Sequence, residues 1–435
     1  MATTDYHFLT SSAAIVVYGE GKSAFSSVMP GMTGKIKKAT VQKTFKYVNW
    51  YDDSKNQEPE QLLKILINNN IAPAILSTKA KFIVGNGIVC YKVVVIDGKK
   101  QKQFVDIDTL PEIKALFEDS NINEQLFRAG LDLQYFGNGF FELLQKKGGS
   151  IYQIWHKDAS SVRCGEIAED GEIKDFWLSA DWAKPRYDEK DEKKGNVRHL
   201  NGYFHGAVAK DLFEKCIYHC KEYTPGFPYY SLPSWYGALK WMELANTIPG
   251  WHLKGIQNGY VIRYLVEVSS SIFDELGGDN VLVSAAKKKL QEEIDACLGG
   301  AENVGKTVFV TMKMQDMIDG GVLKITPISA ELHDEAFTML FQHSNTATTS
   351  GMAIDPTLCG IETEGKLSSG SEKRIAYELW LRLHAQRPRQ ILLDMLTAVA
   401  RINQWDIKYL GIKFGFENTE LTTLDVNPTG SQNVM

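Results

Sequence analysis

Cysteine is scarce in this chain, with six residues in 435. So few thiols in so long a chain do not make a disulfide framework, and they favour a reducing compartment such as the cytosol. The one tight cluster, Cys216, His219 and Cys220, has no second pair of ligands at the spacing that a zinc site needs. The same segment fits a strand with both cysteines on one face, so we predict buried structural thiols and no metal or other cofactor.

Long apolar runs, a signal peptide and an excess of basic charge are also missing. No uninterrupted apolar run approaches the roughly 18 residues that suggest a membrane span, and the start MATTDYHFLT lacks a basic region and an apolar core. We therefore expect no membrane partner. The formal net charge of −5 argues against tight binding of nucleic acid, but it permits a surface past which DNA slides. At 44% apolar and 23% charged residues, the composition is that of a soluble protein with two or three structural units.

No catalytic constellation can be assembled from the sequence. The nine histidines are scattered, and neither H-E-x-x-H nor G-x-S-x-G occurs. One string, GAENVGKT at 300–307, does match the phosphate-binding pattern G-x-x-x-x-G-K-[ST]. A working P-loop needs a strand before the glycines and a helix after the lysine. Here the pattern predicts a helix over 284–300 and a strand over 307–312, which is the reverse order. We predict a structural turn, and a P-loop NTPase is the alternative hypothesis.

Periodicity and turn signals predict an α+β chain. Local signals give helices that Pro73 and Pro388 interrupt or kink, and a hairpin that turns at Asp97-Gly98. A buried stripe is expected on a helix that ends at Gly137, where a strand begins. The predicted elements are a helical region from 59 closed by 85–87, a hairpin at 88–107, a helix into a strand at 121–144, long helices at 232–260 and 330–352, and a last helix at 372–404.

The order of these parts resembles the portal proteins of tailed double-stranded DNA bacteriophages. The resemblance runs over roughly 60–410, and the order and spacing of its segments carry it rather than one strong motif. The segments are TPGFPYYSLPSWYGALKWMELANT with a later NGY, the ENVGK turn, ISAELHDEAFTMLFQ, and a loop with KLSSGSEKRIAYELWLRLHAQRPRQ. On this resemblance the P-loop-like string is a turn that includes Asn303, Gly305 and Lys306.

The resemblance implies a portal-type fold with an α/β wing, two long stem helices, a small α/β clip and a kinked helix behind a tunnel loop. It places these parts as follows: wing 1–232, stem helix 233–259, clip 260–328, stem helix 329–352, tunnel loop 353–371, kinked wing helix 372–410, and a short C-terminal tail 411–435 with a reduced or absent crown.

The resemblance also implies a role without enzymatic activity. Such subunits form a homo-oligomeric ring, usually a dodecamer, at one vertex of the virion, and they are assembled in the host cytoplasm. Double-stranded DNA passes through the ring without sequence preference during packaging and ejection. The implied partners are the large terminase subunit, the head–tail adaptor, and the major capsid and scaffold proteins. Another ring protein of the head–tail junction is the remaining alternative.

Two sets of residues are candidates for this role. A conduit for a polyanion needs weak, sequence-blind contacts, because every neutralised phosphate adds salt-dependent affinity. Mobile lysines in a glycine- and serine-rich loop suit that need, and the candidates that face DNA are Lys366, Ser368, Ser369, Lys373 and Arg374. Ring closure requires two different faces that fit each other. An aromatic turn either supplies such an interface or belongs to the local core, and its residues are Phe227, Tyr229, Tyr230, Trp235 and Tyr236.

Overall fold

The chain divides into two compact units. The computed structural model describes residues 47–52, 56–147, 149–187, 195–207, 212–258, 264–268, 285, 288–289, 323–327, 334–360 and 370–419. The smaller unit contains the described residues of Thr247–Phe341, and the larger unit contains those of 47–246 and 342–419. The larger unit is therefore built from two separate stretches of the sequence.

Helices and strands are mixed throughout the described ranges, which confirms the α+β class at that level. The α-helices are α1 (Glu58–Ile67), α2 (Ala72–Val84), α3 (Pro111–Ser120), α4 (Ile122–Phe136), α5 (Leu239–Asn258), α6 (Asp334–Gly351), α7 (Gly370–Trp380), α8 (Gln386–Ile402) and α9 (Trp405–Lys408). The strands are β1 (Gly87–Ile96), β2 (Lys99–Val105), β3 (Asn138–Gln145), β4 (Ile151–Lys157), β5 (Val162–Cys164), β6 (Asp175–Ser179), β7 (Val197–Gly202), β8 (Lys215–Lys221), β9 (Tyr264–Val268), β10 (Leu323–Pro327) and β11 (Lys413–Glu417). No helix in these ranges is long and apolar enough to cross a membrane.

A six-stranded sheet lies in the larger unit, with the strand order β4-β3-β8-β7-β6-β5. Its neighbours are antiparallel except for β7 and β8, which are parallel. Helix α4 packs against β3 and β4, and Phe140 and Phe141 of β3 are fully buried. The predicted buried stripe on α4 is confirmed, since Leu126, Ala129 and Leu133 are all in the core. The left-handed Gly137 (φ 70°) then ends the helix where β3 begins.

A second sheet has the order β11-β1-β2. Asp97 (φ 50°) and Gly98 (φ 72°) join β1 to β2, as in the two-residue hairpin turns that need positive φ at both positions. The predicted hairpin is therefore confirmed. Strand β11 was not expected, because the segment after 410 was predicted to be a tail. It pairs only with the first half of β1, over Gly87–Tyr91, so β1 and β2 continue beyond it as a two-stranded ribbon.

The helices of the larger unit pack closely around α4. A Cβ at Gly130 of α4 would lie 3.6 Å from Leu392 of α8 and 3.9 Å from Val84 of α2. The small residue thus lets three helices meet at one point. The predicted break near Pro73 falls between α1 and α2, and Pro73 lies in the first turn of α2, where its missing N–H costs no helical hydrogen bond.

The smaller unit contains the antiparallel pair β9 and β10, the second part of α5 and the first part of α6. Trp251 of α5 stacks on Phe337 of α6, with ring centroids 4.3 Å apart. Residues 285, 288 and 289 are helical, as predicted for 284–300. The turn candidates Asn303, Gly305 and Lys306, the string Gly300–Thr307 and the predicted strand at 307–312 lie outside the described residues, so the predictions on them stay untested.

Helices α5 and α6 are shorter than predicted within the described ranges. Helix α5 begins at Leu239 and not near 232, because a 3-10 turn over Tyr236–Ala238 precedes it. It continues through Pro249, where we predicted a slight disruption. In the larger unit, a Cβ at Gly351 of α6 would lie only 2.5 Å from the Cβ of Ala238, so the glycine permits a close backbone approach there.

The last long helix is interrupted near Pro388, as predicted. Helix α7 passes into a π-helical segment, Leu381–Ala385, and α8 follows with Pro388 in its first turn. Proline has no N–H to donate and its ring crowds the carbonyl four residues earlier, which makes the regular α-helical hydrogen bond impossible there. The helical region begins at Gly370 rather than at 372, and ends at Ile402 rather than at 404.

Candidate functional site

Only two of the five candidate DNA-facing residues lie in the part of the chain that the structure describes. Lys366, Ser368 and Ser369 lie outside the described residues, within 361–369. Lys373 and Arg374 lie near the start of α7, where Lys373 is exposed and the Nε atom of Arg374 is 3.6 Å from Oε1 of Glu378. Their contact with DNA stays a prediction. The structure does define how the chain is held on either side of 361–369.

Before this segment, the chain is fixed to α2 by a buried hydrogen bond and to α7 by a partly buried one. Nζ of Lys79, on α2, donates to the carbonyl of Met352 at 2.9 Å. Nε1 of Trp380, on α7, donates to the carbonyl of Ala353 at 3.0 Å. Ala353 adopts a positive φ of 52°, which is uncommon for a residue with a Cβ and needs support from its surroundings. We call Lys79, Met352, Ala353 and Trp380 the loop anchor.

A capped 3-10 turn continues the chain from the loop anchor to Gly360. Asp355 accepts hydrogen bonds from the backbone N–H of Thr357 at 2.9 Å and from its hydroxyl at 2.6 Å. This cap fixes the turn Pro356–Cys359, and Gly360 ends it in the left-handed region with φ 72°. The structure therefore corrects the prediction of a loop over all of 353–371, because 356–359 form a turn of helix and Gly370 is already helical.

After the segment, α7 packs on the same helix as the loop anchor. The rings of Tyr377 and Trp380 meet Phe82 of α2 edge-on, with centroids 4.7 and 5.5 Å apart. Helix α2 thus contacts the chain on both sides of 361–369, through Lys79 and Phe82. These residues are three positions apart and so lie on one face of the helix.

Arg389 of α8 fixes the C-terminal end of α2. Its guanidinium is buried and donates to the carbonyls of Ile83 at 2.7 Å and Phe82 at 2.9 Å, and to Oδ1 of Asn418 at 2.6 Å. The last carbonyls of a helix have no partner within the helix, so these bonds satisfy groups that burial would otherwise leave unpaired. Helices α2, α7 and α8 thus pack together beside the described residues that flank 361–369.

Burial of Lys79 gives the loop anchor an unusual electrostatic character. Its side chain is 4% exposed, and the loss of hydration lowers the pKa of Lys79 to about 8, although Glu222 and Cys359 act in the opposite direction. Burial also raises the pKa of Glu222, against the effect of Lys79 and Arg387. The ammonium is therefore a buried charge near neutral pH that is lost as the pH rises through about 8.

We expect the buried ammonium of Lys79 to make the free energy of unfolding depend on pH. Because the folded pKa lies below that of an unfolded lysine, the unfolded state binds more protons between about pH 8 and 10.5. The wild type should therefore gain about 2 kcal/mol of unfolding free energy between pH 7.5 and 9.5 relative to Lys79→Met. Urea unfolding at each pH measures the difference. Lys81→Met, an exposed lysine on the same helix, is the control and should run parallel to the wild type. Parallel curves for Lys79→Met as well would contradict the assignment.

The aromatic turn does not form one exposed patch. Tyr230 is 3% exposed and Trp235 is 1% exposed. Tyr230 stacks on Trp50 at 4.2 Å and donates its hydroxyl to the carbonyl of Val48 at 2.8 Å, while Trp235 donates Nε1 to the carbonyl of Gln134 at 2.7 Å. Tyr230 and Trp235 therefore belong to the core, which is the second of the two roles that the sequence left open for the aromatic turn.

Three other residues of the turn are half-buried. Phe227 and Tyr229 are partly covered by the chain itself, and the hydroxyl of Tyr236 donates to Oε1 of Glu58 at 3.0 Å. Their role in a subunit interface stays a prediction.

The cysteine cluster is structural. Cys216 and Cys220 are buried on one face of β8, as predicted, and His219 on the other face stacks on Phe140 with centroids 4.4 Å apart. Burial, with a contribution from Lys221, lowers the pKa of His219, so it is neutral near pH 7. In the described part of the chain no group of three or more His, Cys, Asp or Glu side chains is arranged to hold a metal ion. The five cysteines that fall there are free thiols.

Known proteins match this chain in structure and not in sequence. The sequence matches no protein-family model and no curated protein sequence. A chain in the neck of an empty gene transfer agent particle, computed with C6 symmetry, is similar at a TM-score of 0.53 and 15% identity, over 85% of this chain and 87% of that one. A chain of the native gene transfer agent virion gives 0.48 and 15% over the same shares. An HK97-family phage portal protein from Corynebacterium diphtheriae gives 0.37 and 12%, over 82% and 95%.

Of these three TM-scores, the first exceeds 0.5, and we base the shared fold on that chain. At 15% identity the likeness establishes the fold and not the activity. The resemblance predicted from the sequence is thus confirmed at the level of the fold: this chain shares its fold with a chain in the neck of a gene transfer agent particle.

Proposed function

We propose that this chain is the subunit of a portal ring at the capsid vertex, a structural component and not an enzyme. The observation that carries the proposal is the fold shared with a chain of a particle neck over 85% of this sequence. The absence of a catalytic constellation in the sequence agrees with a structural role. The finer assignments of wing, stem, clip and tunnel loop are part of the proposal, with the boundaries that the resemblance implies.

In this proposal, helices α5 and α6 are the stem and line the approach to the channel. Two close approaches support this assignment, each within one unit: Gly351 of α6 to Ala238 in the turn before α5, and Trp251 of α5 to Phe337 of α6. The segment 361–369 then faces the DNA, and the loop anchor ties the chain beside it to α2 and α7. Weak contacts suit this task, since strong phosphate binding would slow the passage of DNA in both directions.

The partners proposed for the ring follow from the same role. The clip, 260–328, docks the terminase during packaging and the adaptor afterwards, while the wing contacts the capsid and scaffold proteins. Terminase, not this chain, supplies the energy of packaging. The alternative of a P-loop NTPase rests on Gly300–Thr307, which lies outside the described residues and stays untested.

The test is the mass of the purified protein by native mass spectrometry, with negative-stain images of the same sample. We expect closed rings of about twelve copies with a central hole. A contact between two different faces of neighbouring subunits can repeat around an axis until the last subunit meets the first. A monomer or dimer at every concentration and salt, also in the presence of capsid protein, would contradict the proposal.

A further inference from the structure

The distal half of the β1–β2 hairpin projects from the sheet as a ribbon of two strands. Strand β11 pairs with β1 only up to Tyr91, whereas β2 pairs with β1 as far as Ile96. Two-stranded ribbons are marginally stable in water when nothing covers them. We call residues 91–104 the basic ribbon.

One face of the basic ribbon combines exposed apolar side chains with lysines. Directly paired residues share a face, so the pairs Val93–Lys102 and Val95–Lys100 lie beside Phe104 and Tyr91. Phe104 is 67% exposed and Val95 is 66% exposed. The ribbon contains Lys92, Lys99, Lys100 and Lys102 against Asp97, which gives 4 − 1 = +3. None of these lysines forms an ion pair within the described residues, although Lys102 lies over the ring of Tyr91 at 4.7 Å.

Lysines on an edge strand also protect a sheet from unwanted pairing. That role accounts for the charges but not for Phe104 and Val95. Exposure of these apolar side chains to water is unfavourable. An apolar centre surrounded by charged side chains is the composition of a docking surface.

A complementary acidic surface lies at the far edge of the six-stranded sheet. Residues 166–175, which follow the edge strand β5, contain Glu166, Glu169, Asp170, Glu172 and Asp175 against Lys174, or −5 + 1 = −4. Lys174 pairs with Asp170 at 2.6 Å, and His199 contacts Asp175 at 2.7 Å. The three glutamates form no ion pair in the described part of the chain, and we call 166–175 the acidic tip.

The two surfaces belong to different sheets of the larger unit. The acidic tip follows β5, and five strand spacings separate β5 from β4, which is about 24 Å. Helix α3 packs against β4, and its Phe117 contacts Phe414 of β11 with ring centroids 5.9 Å apart. Strand β1 and the basic ribbon follow beyond β11. One molecule therefore carries a basic segment on one sheet and an acidic segment at the edge of the other.

We infer that the basic ribbon of one subunit docks on the acidic tip of a second copy of this chain. This inference rests on the proposed ring function and identifies one of its interfaces. The contact joins two different surfaces, and such head-to-tail contacts are those that build rings. Docking covers Phe104 and Val95 and brings the lysines of the ribbon to three glutamates; within the described residues neither set forms an ion pair.

A charge-swap experiment on the full chain tests the contact. We expect Lys100→Glu with Lys102→Glu, both on the face that carries Phe104 and Val95, to lower the fraction of protein in rings about tenfold or more, because like charges then face each other across the interface. Glu166→Lys with Glu169→Lys should do the same, and all four changes together should restore rings. The matched control is Lys146→Glu with Lys147→Glu, two exposed lysines elsewhere, which should leave the ring fraction unchanged. Native mass spectrometry at about 0.1 M salt measures each variant, since higher salt screens the effect.

A second measurement separates this inference from the proposed function. Lys100→Cys and Glu169→Cys, mixed as two proteins, should form an intermolecular disulfide under mild oxidation, while each variant alone should not. Rings that tolerate either charge reversal, or rings without the cross-link, would overturn the inference and leave the portal proposal standing; the ribbon would then serve capsid protein or DNA. Wild-type protein that never forms rings would contradict the portal proposal, and the cross-link would then decide the contact by itself.

Discussion

Subunits that lack residues 361–369 are expected to form normal rings but to package or retain little DNA. The reason is that the loop anchor, the capped turn before Gly360 and the packing of α7 all lie outside the deleted segment. Ring mass by native mass spectrometry and the DNA content of assembled particles give the two readouts. A replacement of the nine residues by glycine and serine controls for the shortened chain.

A point substitution in the same segment tests whether its contact with DNA depends on the charge of Lys366. Lys366 is the one cation of 361–369 in the sequence, beside Glu362 and Glu364. Lys366→Ala should weaken contact with DNA and reduce its salt dependence by about one counterion per subunit that touches a phosphate. Glu364→Ala, a matched change in the same segment, should not. A deletion that prevents ring formation would instead show that the segment is structural, and the tunnel-loop assignment would be wrong.

Replacement of Trp235 by alanine should destabilise the isolated subunit by about 3–5 kcal/mol, the usual cost of removing a buried tryptophan. Its indole is 1% exposed, and the bond from Nε1 to the carbonyl of Gln134 would also be lost. Urea unfolding of the subunit, at a concentration where it is monomeric, measures the change.

Phe227→Ala, in the same aromatic turn, is the matched comparison for Trp235. Phe227 is only half-buried, so we expect a cost of about 1 kcal/mol. If Trp235 served a subunit interface instead of the core, its replacement would reduce ring formation and leave the unfolding midpoint of the monomer unchanged.

Local signals in the sequence predicted local structure well. The turn at Asp97-Gly98, the buried stripe of α4 and its end at Gly137 depend on residues within a few positions of one another. Such patterns constrain backbone dihedrals and burial directly. Pro388 likewise indicated an irregular helix, although not that the irregularity is a π-helical segment on its N-terminal side.

Features that depend on distant partners could not be read in this way. The sequence of the aromatic turn fits a core and a subunit interface equally well. The distinction depends on distant hydrogen bonds, those of Tyr230 with Val48 and Cys164 and that of Trp235 with Gln134. Lys79 and Arg389 looked like ordinary helix lysine and arginine residues, because their acceptors lie 273 and 306 positions away. A long-range hydrogen bond to a backbone carbonyl leaves no pattern in the sequence.

The β1–β11 pairing determines when the larger unit can finish folding during synthesis. Gly87 pairs with Glu417, so 330 residues are made between the two partners. At a synthesis rate of about 5–20 residues per second, β11 is made roughly 15–65 s after β1. Throughout that interval one edge of the nascent β1–β2 hairpin is open to pairing with another chain. Closing this sheet is therefore a late step for the ribosome-bound chain, and a product truncated before β11 leaves that edge unprotected.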